Sequence, residues 1–177
     1  MGWIKNLHSA WRESSLRKRG YVPPEEIQIP KSGSYYVVEL RGVRMRSAKI
    51  YRDGNIIYSV DYNEKSGDKS DIRFTTPEGD HIDWGYSGYA AHDVIITRSD
   101  GSIERAHNNT HTDDLHYSDD APRLFGEYRR AQDAFEKLIP QLPLIRIIFP
   151  DEDAPKAARN LGWRKLEQKA ATAPIYG

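Results

Sequence analysis

Residues 52–62, RDGNIIYSVDY, set the reading of the fold. An Asp-Gly pair opens the stretch, and NIIYSVDY then alternates, with Ile56, Tyr58, Val60 and Tyr62 on one side and Ile57, Ser59 and Asp61 on the other. A repeat of two is the signature of a half-buried strand, and Asp-Gly before such a run is a strong hairpin signal. Similar turn signals recur at KSGD 65–68, PEGD 77–80 and SDGS 99–102. Between them the pattern predicts strands near 35–40, 43–51, 55–62, 70–76, 80–84, 93–98 and 102–107.

Outward from this block the period changes. Leu124, Tyr128, Ala131, Phe135 and Leu138 fall on one stripe of a helix over 121–139, closed by Pro140 and Pro143. LIRIIF at 144–149 reads as a further buried strand, and the tail from Asp153, with Leu161, Trp163 and Leu166, as a short helix. At the other end, GWIKNLHSAWRESSLRKRG reads as a helix stopped by Gly20. The expected fold class is therefore α+β: an antiparallel β-meander of about seven strands covered by one main helix, with helical N- and C-terminal arms. The expected organisation is an amphipathic helix at 1–20, a Pro-rich linker at 21–33, a core domain at 34–149 and an arm at 150–177.

The chain has 177 residues, enough for one full core, and 29% of them are charged. Cysteine is absent, which excludes a disulfide framework, a thiol nucleophile and cysteine-ligated metal. No apolar run reaches the roughly 18 residues of a membrane span, and the first residues lack the apolar stretch of a secretory signal. The expected setting is cytoplasmic, or within an intracellularly assembled complex. Net charge is zero but segregated: residues 1–52 carry +7, 53–120 carry −10 and 121–177 carry +3. Such segregation either pairs segments within the fold or gives the surface faces of opposite sign.

Four sets of residues carry candidate chemistry. In RAHNNTHTDDLHYSDD, 105–120, His107, His111 and His116 with Asp113 offer imidazole and carboxylate ligands for Zn, Mn or Fe, the basis of a metal-assisted hydrolase or nuclease. The intervening Asn, Thr and Asp are turn formers, so the competing reading is a polar loop whose Asp119 or Asp120 caps the next helix. Upstream, His81 and Asp83 share a strand face as a base and its orienting carboxylate, with His92 and Asp93 as a second such pair. The third set, Arg44 and Arg46 with Arg41 and Tyr35, would suit single-stranded nucleic acid, although a pI near 7.0 and the acidic neighbouring hairpins argue against it.

The fourth set is the N-terminal helix. Trp3, Leu7 and Trp11 recur every four residues, with Ile4 beside them: the spacing of anchors that enter a groove. Burying one indole removes on the order of 200 Å² from water, about 5 kcal/mol before ordering costs. Those costs are of similar size, so the helix is expected to be marginal alone and ordered when docked. Trp163 is expected to make a second contact. These features favour a non-enzymatic protein-interaction module that needs no cofactor, a subunit or regulator of a larger assembly, with a virion or phage structural component and a small inhibitor both compatible. The partner would be another protein or a second copy. Peripheral membrane contact through the same apolar face is a further reading.

Overall fold

A computed structural model describes residues 2–86, 91–109 and 120–170. The chain opens with helix α1 (Gly2–Lys18) and a two-residue strand β1 (Tyr21–Val22). Seven strands follow: β2 (Ser34–Arg41), β3 (Arg44–Arg52), β4 (Asn55–Tyr62), β5 (Lys69–Thr75), β6 (His81–Tyr86), β7 (Ala91–Thr97) and β8 (Ile103–Asn109). Helix α2 (Ala121–Leu138), strand β9 (Leu144–Phe149), helix α3 (Lys156–Leu161) and strand β10 (Arg164–Lys169) complete the order. No helix among the described residues is long and apolar enough to cross a membrane.

The strands form one mixed sheet of ten, ordered β1-β10-β9-β2-β3-β4-β5-β6-β7-β8. This overturns the expected seven-strand antiparallel meander with helical arms at both ends. β9 lies parallel to β2, with Val38 opposite Arg146, and β10 and β1 extend the sheet beyond it in antiparallel pairing. The tail read as helical is divided between helix α3 and strand β10, six residues each. α3 stops at Gly162, whose φ of 66° is left-handed, and the chain then turns extended into β10. Tyr21 and Val22, read as linker, pair with Lys165 and Arg164, and Ile27 and Ile29 pack on the sheet.

The core sits between α2 and one face of the sheet. A single row runs straight across seven strands: Val38, Ala48, Val60, Ile72, Trp84, Val94 and Ala106. Leu124, Tyr128 and Phe135 of α2 pack onto this face, with Phe135 stacked on Tyr58 and Tyr128 stacked on Phe74 and Trp84. α2 thus crosses the strands obliquely. Its 18 residues span roughly 27 Å, close to the roughly 29 Å of the six spacings from β8 back to β2. The helix therefore carries the chain from one edge of the meander to the other, where it re-enters as β9. The Tyr36 amide donates to the Pro143 carbonyl at 2.9 Å at this re-entry.

Two local expectations change with the tertiary setting. A bulge between Ile50 and Tyr51 reverses the alternation at the start of β4: Ile56 is half exposed, while Ile57 packs against the core. Asp120 precedes α2 but makes no side-chain cap bond, and its carboxylate instead lies 3.6 Å from Arg123.

Candidate functional site

Among the described residues, the sheet's other face is covered at one end only. Over β9, β2 and β3, residues Val37, Ile145 and Ile147 are buried beneath Ile27, Ile29 and Tyr35. Over β4 to β8 the register instead places polar side chains in two rows. One runs Asp61, Asp71, Gly85, Asp93, His107, and the other Ser59, Arg73, Asp83, Ile95, Arg105. Period-two alternation puts them there: their sequence neighbours Val60, Ile72, Trp84, Val94 and Ala106 make up the core row.

Arg73 is the hub of this face, within 3.7 Å of Asp61 and Asp71 and 3.4 Å of Asp83. One guanidinium thus serves three carboxylates, and the face keeps an excess of negative charge. His81 Nε2 lies 3.5 Å from Asp83 Oδ2, and His81 Nδ1 lies 3.3 Å from Thr75 Oγ1. His107 Nδ1 meets Asp93 Oδ1 at 2.5 Å across β7 and β8. Gly85, in the middle of the first row, leaves a shallow depression of about 290 Å³ bordered by Asp71, Arg73, Asp83, Asp93 and Ile95.

The structure therefore brings His81 to Asp83 as the alternation implies, but separates His92 from Asp93. Their side chains point to opposite faces: Asp93 to His107, and His92 towards α2, where its ring stacks on Trp84 at 5.1 Å. Burial lowers the His92 pKa below the usual imidazole value, with Asp93 opposing that shift. His92 Nδ1 and the neighbouring Asn108 Oδ1 are buried without a hydrogen-bond partner. His111, His116 and Asp113 lie outside the described residues. Among the described residues no three His, Asp or Glu side chains are grouped to hold a metal ion.

The arginines read as a nucleic-acid surface are engaged internally. Arg44 donates to the Glu64 carbonyl at 3.1 Å, and Arg46 pairs with the Glu64 carboxylate at 2.6 Å while lying over the Phe149 ring. Arg41 stands beside Arg44 and Phe149 in the sheet register, and Tyr35 packs into the apolar end of the face.

Trp163 is buried against Leu16 and Ala158, with Arg17 over its ring, so it is an internal anchor and not an outward contact. Leu16 fixes the last turn of α1 there, and the Arg17 guanidinium grips Glu26 with two hydrogen bonds of 2.6 and 2.7 Å. Trp11 lies five residues back, about 140° round the helix from Leu16. It therefore faces away from the anchor and is 75% exposed. Every residue from Ser9 to Ser14 is exposed, and none in this stretch of α1 is buried. The side chains of Trp3, Ile4 and Leu7 lie outside the described part of the helix.

Sequence reasoning missed a second charged hub. Arg98 donates to Asp80 at 2.8 Å, to Glu104 at 2.6 Å and to Glu127 at 3.0 Å, joining two hairpin turns to α2. Arg123 of α2 also bonds Glu104. The available signal was Asp80 closing the PEGD turn and Arg98 just before SDGS, which says nothing of the helix that meets them. A groove of about 780 Å³ lies alongside, between α2 and the 75–80 turn, with Ile57, Ile82, Phe135 and Leu138 in its wall.

Comparisons of the chain with protein-family models, with curated proteins and with solved structures found no match in any of the three.

Proposed function

We propose that this chain is a non-enzymatic protein-interaction module, a subunit or regulator of a larger protein assembly, with α1 as its contact arm. The observation that carries the reading is the combination of a buried root at Leu16 and an exposed Trp11. Leu16 is 3% exposed in its contact with Trp163, while Trp11 is 75% exposed on a stretch with no buried residue. An isolated helix of this length is marginal in water, and an exposed indole contributes nothing to holding it together. Docking Trp11 on a partner removes apolar area from water and orders the arm in one step.

The test compares the full chain with a chain lacking residues 1–14, which retains Leu16, by light scattering across a concentration series. Association present in the full chain and lost in the truncated one, with unchanged circular dichroism in the sheet region, supports the reading. Association that survives the truncation removes the arm from it.

A further inference from the structure

We infer that the face of β4–β8 left uncovered by the described residues is the receiving surface for the α1 arm of a second copy of this chain. The inference rests on the reading of α1 as a contact arm and names its partner.

Reach keeps Trp11 off the middle of this face within one molecule. The arm is rooted at the β1 end of the sheet, where α1 meets α3 and β1. Trp11 is five residues from Leu16, about 7.5 Å along the helix axis. β5 lies six strand spacings from β1, roughly 29 Å away, and β7 lies further still. The indole cannot cross that distance while Leu16 stays buried. Arm and face belong to opposite ends of the same molecule, the arrangement of a head-to-tail contact.

Charge complementarity selects the occupant. Residues 1–20 contain five Lys/Arg and one Glu. Of these, Arg12, Lys18 and Arg19 have no ion-pair partner among the described residues, whereas Arg17 is held by Glu26. The face presents Asp61, Asp71, Asp83 and Asp93 around Arg73, with Arg105 at its margin. The segregation of +7 in residues 1–52 and −10 in residues 53–120 is left partly unpaired among the described residues and would be matched between copies.

Shape and apolar area agree. Ile95 is part-buried on this face, and Ile103 on the next strand is 56% exposed, an apolar spot beside the carboxylates suited to an indole. The depression at Gly85 has room for one long side chain such as that of Arg12, between Asp71, Asp83 and Asp93. Gly85 does not have a left-handed φ, and a Cβ there would meet only Asp71 Oδ1, at 3.3 Å. The glycine therefore keeps space open and is not demanded by the backbone.

The experiment is complementation between two variants, read by sedimentation velocity. One lacks residues 1–14 and keeps the face; the other carries Asp71→Lys and keeps the arm. Each alone is expected to stay at monomer mass, and an equimolar mixture to form a 1:1 pair. Raising NaCl from 0.05 to 0.5 M is expected to weaken that pair at least tenfold. Gly85→Leu, which fills the depression with no change of charge, is expected to weaken self-association at least tenfold, whereas Glu78→Lys on the α2 side leaves it unchanged. If Asp71→Lys and Gly85→Leu associate as well as the parent chain while the truncation does not, the face is wrong and the arm stands. If the full chain stays monomeric at 200 µM, the second copy is the wrong partner, and the arm is then judged by foreign proteins. If the truncated chain associates like the full one, both readings fail.

Discussion

Arg98 Nη1 and Asp80 Oδ2 lie 2.8 Å apart, joining the end of β7 to the turn before β6 beneath the Glu127 carboxylate of α2. Both side chains are largely buried, at 20% and 16% exposure. The Arg98 guanidinium and the Ser99 amide hold the Asp80 carboxyl below its usual pKa. Glu104 is held low by Arg123 first and Arg98 second. A carboxylate with a depressed folded pKa contributes stability above its unfolded value and loses it as pH falls through the folded one. The part of the stability that Asp80 and Glu104 contribute is therefore expected to be level from pH 7 to about 5 and to be lost as pH falls below the ordinary carboxylate range, about 4, towards their lowered folded pKa values. Urea midpoints across that range check it, and an Asp80→Asn variant should show a flatter acid limb.

Arg98→Met removes the shared cation, leaving Asp80 without its arginine and Glu104 and Glu127 with Arg123 alone. The expected loss is about 2 kcal/mol, reduced from a fully buried network by the remaining solvent access. Chemical denaturation measures it. A change under about 0.5 kcal/mol would mean that the hub does not tie α2 to the hairpins.

Phe74 is 1% exposed and touches Tyr58, Tyr128 and Phe135. Phe74→Ala opens a cavity between sheet and helix, with an expected cost of about 3–5 kcal/mol. Equilibrium unfolding should show a lower midpoint at an unchanged slope.

Trp11→Ala and Leu16→Ala separate the shaft of α1 from its root. Trp11→Ala is expected to change stability by less than about 0.5 kcal/mol, because the indole touches water, while weakening association. Leu16→Ala is expected to release the root and to expose the bonds around Arg17–Gly20 to limited proteolysis. Equal protease resistance in both variants would contradict the anchoring described here.

His92 is stacked on Trp84, and burial disfavours its cation. Its folded pKa lies below the unfolded value, so the stability it contributes is complete above about 6.5 and declines as pH falls from there towards the folded pKa. Titration of the ring Cε1 proton by NMR is expected to give a midpoint under 6.5, and His92→Phe to remove this part of the pH dependence.

A metal-assisted reading of 105–120 is decided by metal analysis of untagged protein. The expected content is far below one ion per chain. Stoichiometric Zn, Mn or Fe that disappears in His111→Ala would overturn the proposed function. In the structure His107, one of its three imidazoles, is already turned to Asp93.

Strand positions and turns from Ser34 to Asn109 were legible because each depends on neighbours in the chain. Ile72 and Phe74 point one way and Asp71 and Arg73 the other whatever the strand beside them, and the Asp-Gly turns mark where the chain reverses. The stripe from Leu124 to Leu138 was legible for the same reason. Leu161, Trp163 and Leu166 were not, since three apolar residues over six positions suit a helix turn or a short strand equally well, and Gly162 divides them between the two.

Of the candidate site, the outward placement of His81 and Asp83 followed from alternation, and the separation of His92 from Asp93 follows from the same rule once β7 includes them. The convergence of three aspartates on Arg73 did not, because it joins residues of three strands through register. Trp3, Leu7 and Trp11 marked α1 as a helix with an apolar side, but that Trp11 is exposed was open until Leu16 was seen to fix the helix rotation.

By itself, the amino-acid order determined where the backbone extends and turns between Ser34 and Asn109 and where it coils in α2, and, the start of β4 excepted, which side chains leave the same face there, since those outcomes rest on local sterics and periodicity. Only the tertiary structure decided that β9 lies parallel to β2, that β10 and β1 extend the sheet, and that Trp163 is inside while Trp11 is outside. Each of those is settled by packing between segments distant in the chain, where the apolar area removed from water depends on the partner and not on the residue's neighbours.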